Sequence, residues 1–146
     1  MTKNKPNIAR GKLISNTMMR KCDNMRIAIP SYECDLESNV FEHFGRAPCY
    51  IIIEIEGGEI RNVNFIENPS VEGHSPGEIP KLLHENNVDI LIARGVGRRA
   101  IFFFNELGIN VITGAVGRIK DVVEKFIRGE LYSTPYEPRE KWRDHH

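Results

Sequence analysis

No stretch of this chain is long and apolar enough to span a membrane, and its N-terminus lacks the apolar block of a secretory signal. No Cys-x-x-Cys motif marks a structural zinc site. The three cysteines, Cys22, Cys34 and Cys49, are odd in number and irregularly spaced, so they do not form a recognisable disulfide framework. They read as free thiols in a reducing, cytoplasmic compartment. Gly95-Val96-Gly97-Arg98 lacks the third glycine of a dinucleotide fingerprint, and no Walker-type lysine and hydroxyl follow a glycine loop. The predicted inner strands lack the clustered acids of a nuclease; they supply only Asp89. Net charge is absent too, but the zero hides an asymmetry. Residues 1–24 hold six Lys and Arg against one acid, a net of +5, which leaves the rest of the chain at −5. An acidic body argues against nonspecific binding of nucleic acid.

What is present suffices for one domain: 146 residues with 40% apolar content can bury a real core. Residues 1–24 show no sustained period and read as a basic, disordered or mis-started extension, with Met18, Met19 and Met25 as alternative starts and an organelle transit peptide as the other reading. Met25 to Pro30 predicts a first strand and Tyr50 to Glu56 a second. Gly57-Gly58 is a two-residue hairpin signal, because both glycines accept positive φ. Glu59 to Ile66 is a third strand, with Val63 and Phe65 alternating against polar neighbours. Ser75-Pro76-Gly77-Glu78 reads as a capping box before a helix carrying Ile79, Leu82 and Leu83. Val88 to Ala93 and Ile109 to Thr113 are continuous apolar strands. The helices after them carry Ala100, Phe103, Phe104 and Leu107, stopped at Gly108, and Ile119, Val122, Val123 and Phe126, stopped at Gly129. Residues 132–146 read as a polar tail.

The order βββαβαβα has two hairpin-like links followed by right-handed crossovers. It predicts a five-stranded mixed α/β sheet in the order 3-2-1-4-5. Residues 31–47, 67–75, 93–98 and 113–117 then gather at one edge, outside the carboxyl ends of the strands, where open α/β sheets bind ligands. That edge offers His43, His74, Cys34, Cys49, Arg46, Arg94, Arg98 and Arg99, with backbone N–H groups at helix starts near Gly97 and Gly117. Imidazole and thiolate bind soft or borderline metals, and helix starts and arginines bind anions. The set suits an anionic, metal-containing ligand. Each member also has a plainer role: His43 bonding a nearby carbonyl, His74 capping a helix, Cys49 as a small core residue, Gly95 and Gly97 shaping a turn.

Met25-Arg26-Ile27-Ala28-Ile29-Pro30, His43-Phe44-Gly45-Arg46, Glu67-Asn68-Pro69, His74, Gly95-Val96-Gly97 and Gly129-Glu130-Leu131 occur in an order that resembles the dinitrogenase iron-molybdenum cofactor family, which includes NifX, NafY and the C-terminal part of NifB. The resemblance covers 25–131. It implies a ribonuclease H-like fold that binds an iron–sulfur or iron–molybdenum–sulfur cluster without enzymatic turnover, and exchanges it with cluster donor and acceptor proteins. It carries His43 and His74 over as cluster contacts, with Phe44, Gly45, Arg46, Gly95 and Gly97 shaping or lining the pocket. Cys34 and Cys49 fall outside the pattern, so Cys49 as a third metal ligand would be particular to this chain. Two other classes stay open on the residues alone: a metal-free regulatory or interaction module, and a mononuclear zinc or iron enzyme using His43, His74 and a cysteine.

Overall fold

The computed structural model describes residues 24–68 and 77–134. Its elements are β1 (Asn24–Ser31), β2 (Cys49–Glu56), β3 (Glu59–Glu67), α1 (Glu78–Glu85), β4 (Ile90–Ile92), α2 (Arg98–Glu106), β5 (Asn110–Ile112) and α3 (Ile119–Ile127). The five strands form one sheet in the order β3-β2-β1-β4-β5. β1 and β3 run antiparallel to β2, and β4 and β5 run parallel to β1. This is the mixed sheet and strand order expected from the sequence.

Burial on both faces explains the unbroken apolar runs. Ile51, Ile53 and Ile55 point to one side, where Val122, Val123 and Phe126 of α3 cover them. Tyr50 and Ile52 point to the other, where Ile79 and Leu83 of α1 and Phe104 of α2 pack. At the β2–β3 hairpin, Gly57 and Gly58 both take positive φ, 64° and 82°. The helix stops at Gly108 and Gly129 do the same. β4 and β5 are shorter than the apolar runs that contain them because the helices claim their first amides. Val88 N–H donates to Leu83 O at 3.1 Å, and Ile109 N–H to Phe104 O at 2.9 Å, closing α1 and α2 before each strand begins. Ser75 and Pro76 of the expected capping box lie outside the described residues; the helix itself begins at Glu78, after Gly77.

The reading of Cys34 and Cys49 as free thiols is corrected by the structure. They form a disulfide, with Cα atoms 5.8 Å apart. Linear spacing hid the pairing. Ser31 lies opposite Cys49 in the β1–β2 ladder, and the chain leaving Ser31 doubles back so that Val40 bridges to Ser31 and Phe41 N–H donates to Pro30 O. That turn lays Cys34 over the first residue of β2. The bond closes a loop with a sequence separation of 15. By chain entropy such a loop is worth about 3 kcal/mol. Adding reductant should therefore lower the unfolding free energy by roughly 2–3 kcal/mol, read as a fall in the urea midpoint, with a slope that rises if it changes because the released unfolded chain exposes more surface.

Candidate functional site

The strand directions put the loops after β1, β3, β4 and β5 at one edge, and backbone hydrogen bonds sew them together. Phe44 N–H donates to Gly95 O at 3.0 Å, beside a parallel bridge between His43 and Gly95. Val40 N–H donates to Gly117 O at 2.9 Å. Ala115 N–H reaches Ala93 O and Gly114 N–H reaches Arg94 O. The fourth loop joins through Asn68, whose N–H donates to Pro48 O at 3.0 Å.

At the centre is a single 3-10 turn, Phe44–Arg46, closed by Arg46 N–H on His43 O. Phe44 anchors it. Its ring is buried, 5.3 Å from Phe104 and 5.8 Å from Tyr50 between centroids. Once Phe44 is fixed inward, His43 and Arg46 on either side face outward, and both are exposed. The backbone below is held by two buried polar side chains. The Tyr50 hydroxyl donates to Phe44 O at 2.7 Å. Asn68 Nδ2 donates to Ala47 O at 2.9 Å and lies 3.3 Å from Gly45 O and 3.4 Å from the Tyr50 hydroxyl. Sequence reasoning missed both as part of the site. Asn68 stood in the Glu67-Asn68-Pro69 run of the family resemblance, and Tyr50 read as a strand start; the available signal was that a phenol inside an apolar strand needs a partner.

Burial pushes the Tyr50 phenol well above its ordinary value of 10.0, so it stays protonated and keeps donating. A raised folded-state pKa gives stability that is complete below the unfolded pKa, about 10, and is lost as pH climbs from there toward the folded value. Tyr50→Phe should cost about 1–3 kcal/mol at neutral pH, because Phe44 O loses a buried donor. The gap between wild type and Tyr50→Phe should then shrink above about pH 10, measured by urea unfolding at several pH values.

The structure thus brings His43, Phe44, Gly45, Arg46, Gly95 and Gly97 to one place; His74 lies outside the described residues. Gly97 precedes α2 as its N-cap, is exposed, and leaves open space where a Cβ would stand. Gly97 has no side chain to cap α2, and the helix's first-turn amides have no partner within the helix, so among the described residues they are donors for an anion beside Arg98 and Arg99. The expected second helix start is already spent: Ile119 and Lys120 N–H donate to Ser38 O and Leu36 O at 2.8 and 3.0 Å. Arg118 is likewise engaged, 3.3 Å from Glu37. Cys49 is 1% exposed and bonded to Cys34, so in this state it has no thiolate to offer a metal. Asp89 sits at the opposite edge, accepting from Arg26 N–H at 3.0 Å, in a structural role. Among the described residues no three His, Cys, Asp or Glu side chains converge as a cage for a metal ion.

The uncharacterized protein MJ0580 of Methanocaldococcus jannaschii is 34% identical over 79% of this chain and 96% of its own length. The crystal structure of PH0822 is similar with a TM-score of 0.69 and 41% identity, covering 75% of this chain and 96% of that one. The NMR structure of TM1290 from Thermotoga, provisionally a NifB protein and placed in the DUF35 family, is similar with a TM-score of 0.65 and 32% identity, covering 79% and 98%. A family model described as dinitrogenase iron-molybdenum cofactor matches residues 24–129. On that match, which spans well over half its length, the chain belongs to the dinitrogenase iron-molybdenum cofactor family.

Proposed function

We propose that this protein is a small carrier or scaffold for an iron–sulfur or iron–molybdenum–sulfur cluster, held as cargo at the carboxyl edge of the sheet. The observation that carries the reading is the outward-facing His43 on a turn pinned to Gly95, beside the start of α2 at Gly97. An imidazole supplies a ligand for borderline metals, while Arg46, Arg98, Arg99 and the first amides of α2 offset the cluster's negative charge. A bare ion in a catalytic centre wants about three protein ligands, whereas a cluster brings its own bridging sulfides. The few-ligand edge suits the cluster better. His74 is the second ligand in this proposal, and 25–131 is the cluster-binding domain, with the ribonuclease H-like reading of its sheet.

Few protein bonds also suit hand-over. A cluster held by one or two side chains leaves its remaining metal positions open to a donor or acceptor protein, so the protein binds and releases without turnover. No helix among the described residues is long and apolar enough to cross a membrane; the Cys34–Cys49 bond removes the free-thiol argument for a reducing compartment, so a cytoplasmic place of work rests in this proposal on the cluster cargo alone. Anaerobic reconstitution with iron, sulfide and molybdate tests it. The expected result is iron and acid-labile sulfide in comparable amounts, with a visible charge-transfer band. Iron or zinc bound without sulfide would point to a mononuclear site, and a colourless, metal-free protein under every loading condition to an interaction module.

A further inference from the structure

Among the described residues β3 forms one outer edge of the sheet and pairs only with β2. It is nine residues long, and all of them except Ile66 are exposed. Ile60, Val63 and Phe65 stand out, at 40%, 37% and 54% exposure. All three share a face. Their ladder partners are Ile55, Ile53 and Ile51, which belong to the core beneath α3. The register shift at Glu54/Ile55 inserts Arg61 as an extra residue, and that bulge is why Ile60 and Val63, three apart, lie on one side. The α3-side core thus runs past the cover of its helix and ends in an apolar strip along an open hydrogen-bonding edge. A long edge of this kind, without proline, invites another strand.

We propose that β3 pairs with β3 of a second copy of this chain, antiparallel, about a two-fold axis at Asn64. The strand's own sequence selects both the occupant and the register. In an antiparallel ladder, residues directly opposite each other must both point their N–H and C=O inward or both outward. Two copies of one strand related by a two-fold axis are therefore centred on a residue, not between residues. Centred on Val63, Glu59 meets the partner's Glu67, a like-charge pair. Centred on Phe65, Val63 meets the partner's Glu67, a carboxylate on an apolar group. Centred on Asn64, Val63 meets the partner's Phe65 twice over, and Arg61 at the bulge approaches the partner's Glu67 at both ends. Opposite charges and apolar pairs directly across a ladder are favourable. The two carboxyl edges would then point in opposite directions, leaving both cargo sites open.

The test is sedimentation equilibrium of the full chain from about 10 μM to 1 mM, the range in which a short edge-to-edge contact would show, compared with Phe65→Lys. Mass rising with concentration toward twice 16.7 kDa, with dissociation at least tenfold easier in Phe65→Lys, supports the proposal. A charge reversal sharpens it: Arg61→Glu should weaken association, and adding Glu67→Arg should restore it. Hydrogen exchange on wild type reads the same edge without a variant, with β3 amides slowing as concentration rises. A wild-type monomer throughout the range, or a dimer indifferent to Phe65→Lys with concentration-independent β3 exchange, overturns it.

Discussion

His43→Ala should lose cluster retention while keeping the fold. The backbone does structural work at this position: the carbonyl accepts from Arg46 N–H, and the bridge to Gly95 uses main-chain groups. Alanine keeps both. The side chain is exposed, so its removal should change stability by no more than about 0.5 kcal/mol. Binding is another matter. Replacing even groups that only orient a metal ligand typically costs about 10–100-fold in affinity, and a direct ligand in a site with few ligands should cost more. After anaerobic reconstitution and challenge with a chelator, His43→Ala should lose its visible band at least tenfold faster than wild type, with the same urea midpoint. Equal retention would remove His43 from the site.

Asn68→Ala should show the reverse division. Asn68 is 8% exposed, and its side chain serves Ala47 O, with Gly45 O and the Tyr50 hydroxyl close by. Deleting it leaves the Ala47 carbonyl without that donor inside the fold, where an unsatisfied group costs about 1–3 kcal/mol. The missing volume adds to that cost, so a loss of about 2–4 kcal/mol is expected. Amide exchange across 43–47 should speed up more than exchange in β1 or β2, because Asn68 holds the carbonyls that fix that loop. Cluster retention should fall too, although His43 is intact, since the turn that aims it has lost its brace. Asn68→Asp keeps the shape but turns a donor into a charged acceptor facing carbonyl oxygens, and should be at least as damaging.

These contrasts show which parts of the molecule could be read from the chain. Ile51-Ile52-Ile53 and Ile90-Leu91-Ile92 are apolar without alternation because both faces of the sheet are covered, and that pattern is visible in the sequence. Gly57-Gly58, Gly108 and Gly129 announced turns and stops through the positive φ they adopt. The strand order followed from those signals, and with it the gathering of four loops at one edge. What escaped depends on how the 32–48 loop folds back. The Cys34–Cys49 bond, the Asn68 brace and the use of the α3 amides by Leu36 and Ser38 carbonyls all arise from that fold-back. It follows no period and leaves no compositional trace. Val63 and Phe65 illustrate the remaining gap: their alternation correctly marks a strand, but alternation cannot say whether a helix covers the apolar side. Here α3 covers their neighbours Ile53 and Ile51 and leaves these two exposed.

The most direct measurement is an amide chemical-shift and line-broadening map of isotopically labelled protein, anaerobically reconstituted with iron, sulfide and molybdate and compared with the metal-free form. Perturbation concentrated at His43 to Arg46, Gly95 to Arg99 and their immediate surroundings is the predicted result, placing the cluster against the Phe44 turn and the start of α2. Perturbation centred instead on the opposite edge, around Gly57, Gly58 and Asp89, would contradict the account, however well the reconstituted protein holds its metal.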